Sequence, residues 1–296
     1  MIAKPERLSD LHAPQLDLGP DDVGYDYFQD FSNISASMLK CFAGSRRRYD
    51  GEFVTCDIEQ KKTSRAMDVG SVVHEICLEG RAMNDVVIRY PAEVYSKSGA
   101  IVSARAAKFR EDNSDYEYFL KDKDIDRVCA IVAALKECEV HKWITHPKAI
   151  REQTLYWTDE DTGLGCRAKP DFMIEMDDCV RYFDLKVTIN FTPEDFSNYL
   201  GGNRKGSMRG YLQACHYESG LMQEYEKPAS LIYVCVNPEA PHQVCVNQIS
   251  PTSMDMCRSA YRGFMRDLSE CYRTGDWSET FEGQINTSVL DQWQVC

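Results

Sequence analysis

Residues 167–188 read RAKPDFMIEMDDCVRYFDLKVT and contain two apolar-rich runs on either side of a short acidic turn at 176–178. The runs have the composition of β-strands, and the polar turn between them predicts a hairpin. Asp171 lies on the first run, and Asp184 and Lys186 lie two residues apart on the second. Because side chains at i and i+2 point to the same face of a strand, Asp184 and Lys186 project together. A hairpin paired in register would bring Asp171 next to them from the neighbouring strand.

Two carboxylates and one ammonium group on one face of a sheet form a site for a hard cation with a positive charge beside it. Oxygen ligands of this kind suit Mg²⁺ or Mn²⁺. The set fits phosphodiester hydrolysis, in which the cation activates water and neutralises the phosphate while the lysine orients the nucleophile. Short Asp-x-Lys pairs are also common on exposed strands, so the hairpin alone leaves open a solvated charged surface without catalytic function.

The length and composition of the chain bound its organisation. Its 296 residues, 43% of them hydrophobic, suffice for one large domain or two small ones. Residues 1–30 are rich in Asp and Pro and predict a poorly ordered N-terminal arm, residues 31–275 a single domain, and 276–296 a tail with little pattern. No apolar run approaches the roughly 18–20 residues of a membrane span, and the N-terminus lacks the apolar core of a secretory signal. We therefore expect a cytoplasmic protein with no membrane partner.

The chain has 13 cysteines, an odd number, without a C-x-x-C pair or zinc-type spacing. In a cytoplasmic protein such cysteines are reduced thiols. Cys235, Cys245, Cys257 and Cys271 group loosely near the C-terminus and leave an iron–sulfur cluster open as one interpretation. The alternative is that they are small buried apolar side chains.

The net charge of −13 argues against a nucleic-acid partner, because non-specific DNA affinity is largely an attraction between Lys or Arg and phosphate. Local basic segments are the expected compensation. The first ends a predicted helix, the second lies within residues 95–110, which contain no acidic residue, and the third is the Gly-rich stretch 201–210. The candidate DNA-contacting residues are Arg46, Arg47, Arg48, Lys97, Arg105, Lys108, Arg204, Lys205 and Arg209. The alternative for the arginine triplet is a solvated C-terminal turn favoured by the helix dipole.

Hydrophobic periodicity places several polar residues on helices. A helix with Ser35 as N-cap is predicted to run to Tyr49. A buried amphipathic helix over residues 68–80 carries His74 between its apolar positions, where a hydrogen-bonded structural histidine is by itself the more typical interpretation. Gln213 and Tyr217 are four residues apart and share one face of a later helix, which is equally typical of an ordinary polar face.

The remaining pattern sets the fold class. Further helices are predicted over residues 122–142, over 193–200 with Thr192 as N-cap, and over 253–272. Strands are predicted over residues 151–157, 164–174, 179–187, 230–236 and 243–249. This order of elements predicts an α/β fold in which helices flank a mixed central β-sheet.

Several phrases of the chain resemble those of RecE-type exonucleases (exodeoxyribonuclease VIII-like), a branch of the PD-(D/E)xK nuclease superfamily. The resemblance extends over about residues 34–272. Its phrases are ISASMLK at 34–40, AMDVGSVVH at 66–74, Glu152 before LYWTD at 155–159, RAKPDF at 167–172, DLKVT at 184–188 and YLQACHY at 211–217. Phrases in one order at compatible spacing are far more specific than the acid–lysine motif alone, and they imply a restriction-endonuclease-like core.

The resemblance also implies roles for individual residues. His74, Asp171 and Asp184 would hold the metal ion, with the Leu185 carbonyl as a further ligand. Lys186 would position the attacking water and stabilise charge at phosphorus. The remaining candidates are Gln213 and Tyr217, which match the helical Gln-x-x-x-Tyr that borders the site, and Glu152, which would support a second metal or be paired on its strand.

The implied activity is Mg²⁺-dependent degradation of linear double-stranded DNA, with Mn²⁺ able to substitute. The 5′ strand would be digested to leave a 3′ single-stranded overhang for recombination by strand annealing. The implied partners are DNA ends, a RecT-like single-strand annealing protein, and further copies of the chain in a tetramer or other ring that encloses DNA. The implied setting is the cytoplasm of a bacterium, with a chromosomal or phage gene.

Two other interpretations stay open. The first is a single-strand or repair-associated nuclease of the same superfamily, similar to the AddB/RecB nuclease domains or to the iron–sulfur nucleases of CRISPR adaptation. The lack of a tight cysteine cluster argues against the iron–sulfur type. The second is a catalytically silent module that binds DNA ends, although every expected catalytic position is filled by a competent residue.

Overall fold

The computed structural model describes residues 30–60, 65–201, 209–279 and 282. Its α-helices are α1 (Ala36–Gly44), α2 (Arg46–Tyr49), α3 (Arg65–Cys77), α4 (Met83–Val86), α5 (Ser103–Asp112), α6 (Asp122–Glu137), α7 (Val140–Ile144), α8 (Pro193–Gly201), α9 (Gly210–Tyr225) and α10 (Pro251–Thr274). Its strands are β1 (Val87–Arg89), β2 (Tyr118–Leu120), β3 (Ala149–Arg151), β4 (Leu155–Thr158), β5 (Gly165–Ala168), β6 (Phe172–Glu175), β7 (Val180–Val187), β8 (Ala229–Val236) and β9 (Val244–Asn247). A π-helical turn at Asp50–Val54 and a 3₁₀ turn at Ala92–Val94 complete the set.

A five-stranded sheet with the order β3-β6-β7-β8-β9 forms the centre of the fold. Strands β7 and β8 pair in parallel, and the other neighbours pair antiparallel. Strands β4 and β5 form a separate antiparallel pair, and β1 and β2 a parallel pair. The predicted fold class, a mixed central sheet flanked by helices, is confirmed.

The two faces of the central sheet bury two apolar clusters. One contains Tyr182 together with residues of α1, α9 and α10, and the other contains Phe183 and Leu185 with residues of α3 and α6. The division follows from the two-residue period of β7, which sends alternate side chains to opposite faces. Asp184 and Lys186 follow Tyr182 at intervals of two residues. They therefore lie on the same face of the sheet as Tyr182, the face that α9 covers.

The hairpin predicted within residues 167–188 is confirmed and comprises β6 and β7. Strands β6 and β7 pair antiparallel with Phe172 opposite Phe183, and the two rings stack with centroids 4.3 Å apart. The next pair of positions towards the open end of the hairpin is Asp171 and Asp184. The register therefore brings the two carboxylates to adjacent positions.

Two strands that the sequence predicts as continuous are divided. Residues 164–174 split into β5 and β6, because Pro170 lacks the N–H that a strand ladder needs. Residues 151–157 split after β3, where Glu152 has a left-handed φ of 52°. At both points the chain passes between the central sheet and the β4–β5 pair. The two breaks are adjacent, since Glu152 N donates to the Asp171 carbonyl at 3.2 Å.

Helix ends also differ from the sequence prediction at two places. Ser35 caps α1 as expected, with Met38 N donating to its Oγ at 3.3 Å, but the helix stops at Gly44. Ser45 then caps α2 by accepting from Arg48 N at 3.1 Å, so the predicted single helix to Tyr49 is wrong. Residues 122–142 likewise divide into α6 and α7. The predicted N-cap of α8 is confirmed, because Asp195 N donates a hydrogen bond to Thr192 Oγ1 at 3.3 Å.

The loose group of C-terminal cysteines does not form a cluster. Cys235 and Cys245 are opposite one another on β8 and β9, whereas Cys257 and Cys271 lie on α10. A separation of fourteen residues along a helix corresponds to about 21 Å, too far for ligands of one iron–sulfur cluster. Of the helices within the described ranges, none is both long and apolar enough to cross a membrane.

Candidate active site

Asp171 is held by the backbone of the neighbouring strand. It lies between Pro170 and the start of β6, and its Oδ2 accepts a hydrogen bond from Leu185 N at 2.6 Å. The same oxygen lies 2.9 Å from His74 Nε2. Although burial alone would raise it, the His74 and Lys186 cations lower the pKa of Asp171 below its ordinary value. Asp171 is therefore an ionised, fixed acceptor.

Asp184 is 1% exposed and is engaged through both carboxylate oxygens. Oδ1 accepts from Gln213 Nε2 at 2.6 Å, and Oδ2 lies 2.5 Å from Lys186 Nζ. Burial raises the pKa of Asp184 above its ordinary value, helped by the negative charge of Asp171 and opposed by Lys186. The Asp184 charge in turn raises the pKa of Lys186, although burial alone would lower it. The predicted convergence of two carboxylates and an ammonium group is present.

His74 reaches the hairpin from α3, whose buried face contains Val69, Val72 and Val73. Its Nδ1 lies 3.4 Å from Glu152 Oε1, on the side of the ring opposite to Asp171. Burial alone would lower the pKa of His74, but the adjacent carboxylates outweigh this effect and raise the pKa to about 9. Without a bound cation the imidazolium therefore bridges two carboxylates.

The residues at this position fit a hard divalent cation. Ligands about 2.1 Å from Mg²⁺ in an octahedron are separated by about 3.0 Å. The 2.9 Å between His74 Nε2 and Asp171 Oδ2 matches that spacing once the imidazole is neutral. Asp184 and the Leu185 backbone lie on the adjacent strand, next to the same carboxylate. The carboxylate and carbonyl oxygens are the donors that Mg²⁺ and Mn²⁺ prefer, and His74 would add one nitrogen donor to them.

The structure adds Glu79 to the candidate ligands. Ligand atoms of His74, Glu79 and Glu152 all lie within 4.8 Å of one another. A neutral imidazole has one nitrogen with a free lone pair, which can bind a cation, and one N–H group. Whichever nitrogen of His74 binds a cation, the other donates its N–H to the carboxylate on its own side of the ring. Glu79 lies just beyond the end of α3, where helical spacing from His74 no longer applies. It ends the pattern Gly-small-x-x-His-x-x-x-Leu-Glu, but the pattern assigned it no role.

Glu152 is paired as well as close to His74. Its Oε2 lies 2.7 Å from Lys169 Nζ, and burial raises its pKa against the opposing charges of Lys169 and His74. Left-handed backbone at a non-glycine residue costs on the order of 1–3 kcal/mol and persists where the surrounding structure enforces it. The turn that carries this cost is the one that points Glu152 at His74.

Helix α9 contributes Gln213 and Tyr217 from one face, as predicted. Gln213 contacts Asp184 directly, whereas the Tyr217 ring packs 6.3 Å from Tyr182 within the apolar cluster. On the far side of Gln213, its Oε1 accepts from Lys40 Nζ at 2.8 Å. Lys40 is the last residue of the ISASMLK stretch at 34–40, but no role was predicted for it, because the residue that it contacts lies 173 positions away.

The predicted DNA-contacting residues are dispersed. Each of the three consecutive arginines has an acidic partner: Asp267 for Arg46, Glu282 for Arg47 and Glu52 for Arg48. Arg105 donates to two backbone carbonyls, of Glu93 and Tyr95, while Lys97 and Lys108 are exposed. Arg209 immediately precedes α9. Arg204 and Lys205 lie outside the described residues.

Comparison with known proteins agrees with this arrangement. A family model described as "PDDEXK-like domain of unknown function (DUF3799)" matches residues 35–286. No curated protein matches the chain with significant similarity. The crystal structure of a "Putative exonuclease" from Eubacterium rectale is similar over 93% of this chain and 97% of that chain, with a TM-score of 0.54 and 10% sequence identity. At that identity the similarity concerns the fold.

The structure of the protein SSO0001 aligns over 67% of this chain and 84% of that chain with 10% identity, but its TM-score of 0.26 is too low to inform the fold. The family match contains every residue that surrounds Asp171 and Asp184 in the site. The predicted relationship to the PD-(D/E)xK superfamily is confirmed. The central sheet and the hairpin agree with the family match over residues 35–286. The chain therefore belongs to the family of PDDEXK-like domains of unknown function.

Proposed function

We propose that this protein is a divalent-cation-dependent deoxyribonuclease that hydrolyses phosphodiester bonds at the β6–β7 hairpin. The observation that carries the proposal is the convergence of Asp171, Asp184 and Lys186, with His74 2.9 Å from Asp171. Carboxylates that stay ionised when buried next to one another need positive charge, and a catalytic cation provides it.

The chain's own residues have separable roles in this proposal. Asp171, Asp184 and neutral His74 would hold Mg²⁺ or Mn²⁺, with the Leu185 carbonyl as a further ligand. A bound cation supplies Lewis acidity to a phosphate oxygen and lowers the pKa of a water molecule. Lys186, paired with Asp184, donates hydrogen bonds to the attacking water and places its charge beside the phosphate.

We further propose that the substrate is the end of linear double-stranded DNA, degraded 5′→3′ to leave a 3′ overhang. The sequence resemblance to RecE-type enzymes supports this assignment. The fold similarity to the "Putative exonuclease" is compatible with it. An acidic chain of net charge −13, whose arginine triplet has acidic partners, needs another means to retain DNA. A homo-oligomeric ring around the duplex would supply it, and a RecT-like annealing protein would receive the overhang.

The test uses linear duplex DNA labelled at the 5′ or the 3′ end, with Mg²⁺, and compares the natural chain with Lys186→Ala. We expect release of label from the 5′ strand end, an intact complementary strand, and a loss of at least about 100-fold in rate in the variant. Lys123→Ala, on the exposed side of α6, is the matched control and should cleave normally.

Each alternative has its own outcome. Cleavage of single strands or of internal sites alone would retain a nuclease and reject the duplex-end substrate. Binding of DNA ends without cleavage under Mg²⁺ or Mn²⁺ would reject the enzyme and support an end-binding module. Equal activity of Lys186→Ala and the natural chain would place the active site elsewhere.

A further inference from the structure

Lys40, Gln213, Asp184 and Lys186 form an unbroken line of polar contacts. Lys40 Nζ donates to Gln213 Oε1 at 2.8 Å, and Gln213 Nε2 donates to Asp184 Oδ1 at 2.6 Å. The other oxygen of Asp184 lies 2.5 Å from Lys186 Nζ. The line joins α1 and α9 to the centre of the sheet. Gln213 is 7% exposed and Asp184 1% exposed, so water has little access to the amide between them.

The orientation of the Gln213 amide follows from its two neighbours. A lysine side chain carries hydrogen-bond donors and accepts only as the neutral amine, whereas an ionised carboxylate only accepts. An amide placed between them has one satisfactory orientation, with its oxygen towards Lys40 and its nitrogen towards Asp184. The reversed amide would place Oε1 against the Asp184 carboxylate and leave buried polar groups unpaired, which is unfavourable.

We propose that Lys40 is a positioning residue for the candidate metal site: through Gln213 it holds the Asp184 carboxylate in the orientation that a divalent cation needs. This inference rests on the proposed function, since it concerns the same cation site. Lys40 touches neither Asp171 nor Asp184 in the contacts described above. Its hydrogen bond to Gln213 carries the positioning, whereas its charge acts on Asp184 separately, through space.

The protonation state of Lys40 does not alter this role. Burial, with the nearby charge of Lys186, lowers the pKa of Lys40 to about 7. Both the ammonium group and the neutral amine retain N–H groups that can donate to Gln213 Oε1. The amide orientation therefore persists on either side of neutral pH.

Simple electrostatics predicts the opposite effect of removing Lys40. A cation site loses a neighbouring positive charge in Lys40→Met, which by itself would tighten metal binding. Loss of a residue that orients a ligand instead weakens metal binding, typically by about 10–100-fold. The sign of the change in metal affinity thus separates positioning from a charge effect.

The experiment measures Mn²⁺ binding to the DNA-free protein by calorimetry. We expect Lys40→Met to weaken binding at least about 10-fold and Lys40→Arg, which keeps the donor, to recover most of it. Lys123→Met is the matched control and should bind as the natural chain does. In a Gln213→Leu background, Lys40→Met should no longer weaken binding, because the hydrogen-bonded route to Asp184 has been removed and only the charge effect, of opposite sign, remains.

Three outcomes would overturn the inference: unchanged or tighter Mn²⁺ binding in Lys40→Met, no recovery in Lys40→Arg, or a weakening of Mn²⁺ binding by Lys40→Met that persists in Gln213→Leu. If Lys40→Met does not fold, the side-chain amide protons of Gln213 in the natural chain decide the matter. They should exchange slowly with solvent, and fast exchange contradicts a fixed amide. A natural chain that binds Mn²⁺ but cleaves no DNA rejects the proposed function alone.

Discussion

His216 shows how a buried titratable residue on α9 is satisfied without a charge. Its Nε2 lies 3.0 Å from the carbonyl oxygens of Ile34 and Arg167, and its Nδ1 lies 3.1 Å from Tyr261 Oη. Carbonyls only accept, so Nε2 carries the proton and Nδ1 accepts from the tyrosine. A second proton on the ring would remove that acceptor. Burial accordingly lowers the pKa of His216 from 6.5 to about 4.

This pKa predicts a loss of stability in acid. Between pH 6.5 and 4 the unfolded chain binds a proton at His216 that the folded chain does not, so the free energy of unfolding falls as the pH falls. The loss should reach roughly 1 kcal/mol by pH 5.5 and about 3 kcal/mol near pH 4. Urea unfolding of the natural chain and of His216→Gln, from pH 7.5 to pH 4.5, measures it. If the free energy of unfolding fell equally with pH in both proteins, His216 would not be the source of the loss.

Residues of the site differ in how far the sequence reveals them. Asp171, Asp184 and Lys186 share a hairpin, so local periodicity predicts their convergence. Lys40 and Glu79 owe their positions to contacts that no local period describes: Lys40 meets a residue 173 positions away, and Glu79 lies past the end of its helix. Pairing between distant elements is decided by packing, which is why these two were missed.

At the scale of elements, α9 approaches β4 so closely that only glycine fits between them. A Cβ at Gly220 would lie 2.7 Å from Trp157 Cζ3, and Trp157 is itself buried against His216, with ring centroids 4.8 Å apart. By contrast, a Cβ at Gly263 in α10 would meet no heavy atom within 4 Å. The two glycines lie in helix interiors but in different surroundings.

Gly220→Ala and Gly263→Ala should therefore change stability in opposite directions. Alanine gains about 1 kcal/mol over glycine in an exposed helix interior, which should stabilise Gly263→Ala. At Gly220 the overpacking cost of about 1–3 kcal/mol should exceed that gain, because the Trp157 ring is buried against His216. Denaturant unfolding of both variants gives the difference. A Gly220→Ala protein as stabilised as Gly263→Ala would mean that α9 and β4 separate easily.

The breaks in the predicted strands belong to the same scale. Alternating apolar residues correctly indicated strand character on both sides of Pro170 and after Glu152, whereas most of β3 lies before the predicted strand. They gave no sign that the chain passes there between the central sheet and the β4–β5 pair, because strand character does not reveal which sheet a strand joins. Pro170 could have indicated the break between β5 and β6, whereas nothing in the sequence indicated the left-handed φ of 52° at Glu152.

At the scale of the whole molecule, a cation that binds only the folded chain should stabilise it. With Mg²⁺ at 100 times its dissociation constant the gain is about 2.7 kcal/mol, or on the order of a few degrees in Tm. Screening of the net charge of −13 by any salt also stabilises, so the control is NaCl of equal ionic strength with EDTA. Asp184→Asn should lose the Mg²⁺-specific part. Equal shifts with Mg²⁺ and NaCl would argue against a specific site.

The parallel pairing of β7 with β8 also sets an order of assembly. The β6–β7 hairpin closes across a turn of four residues, whereas Val180 meets Ala229 only after α8 and α9 have been made. Loop closure is faster for near neighbours than for distant ones, and parallel strands are intrinsically slow to pair. We therefore expect Asp171, Asp184 and Lys186 to come together before α9 brings Gln213 to them. In that order, two buried carboxylates and an ammonium group begin on an uncovered hairpin, and α9 closes over them only later.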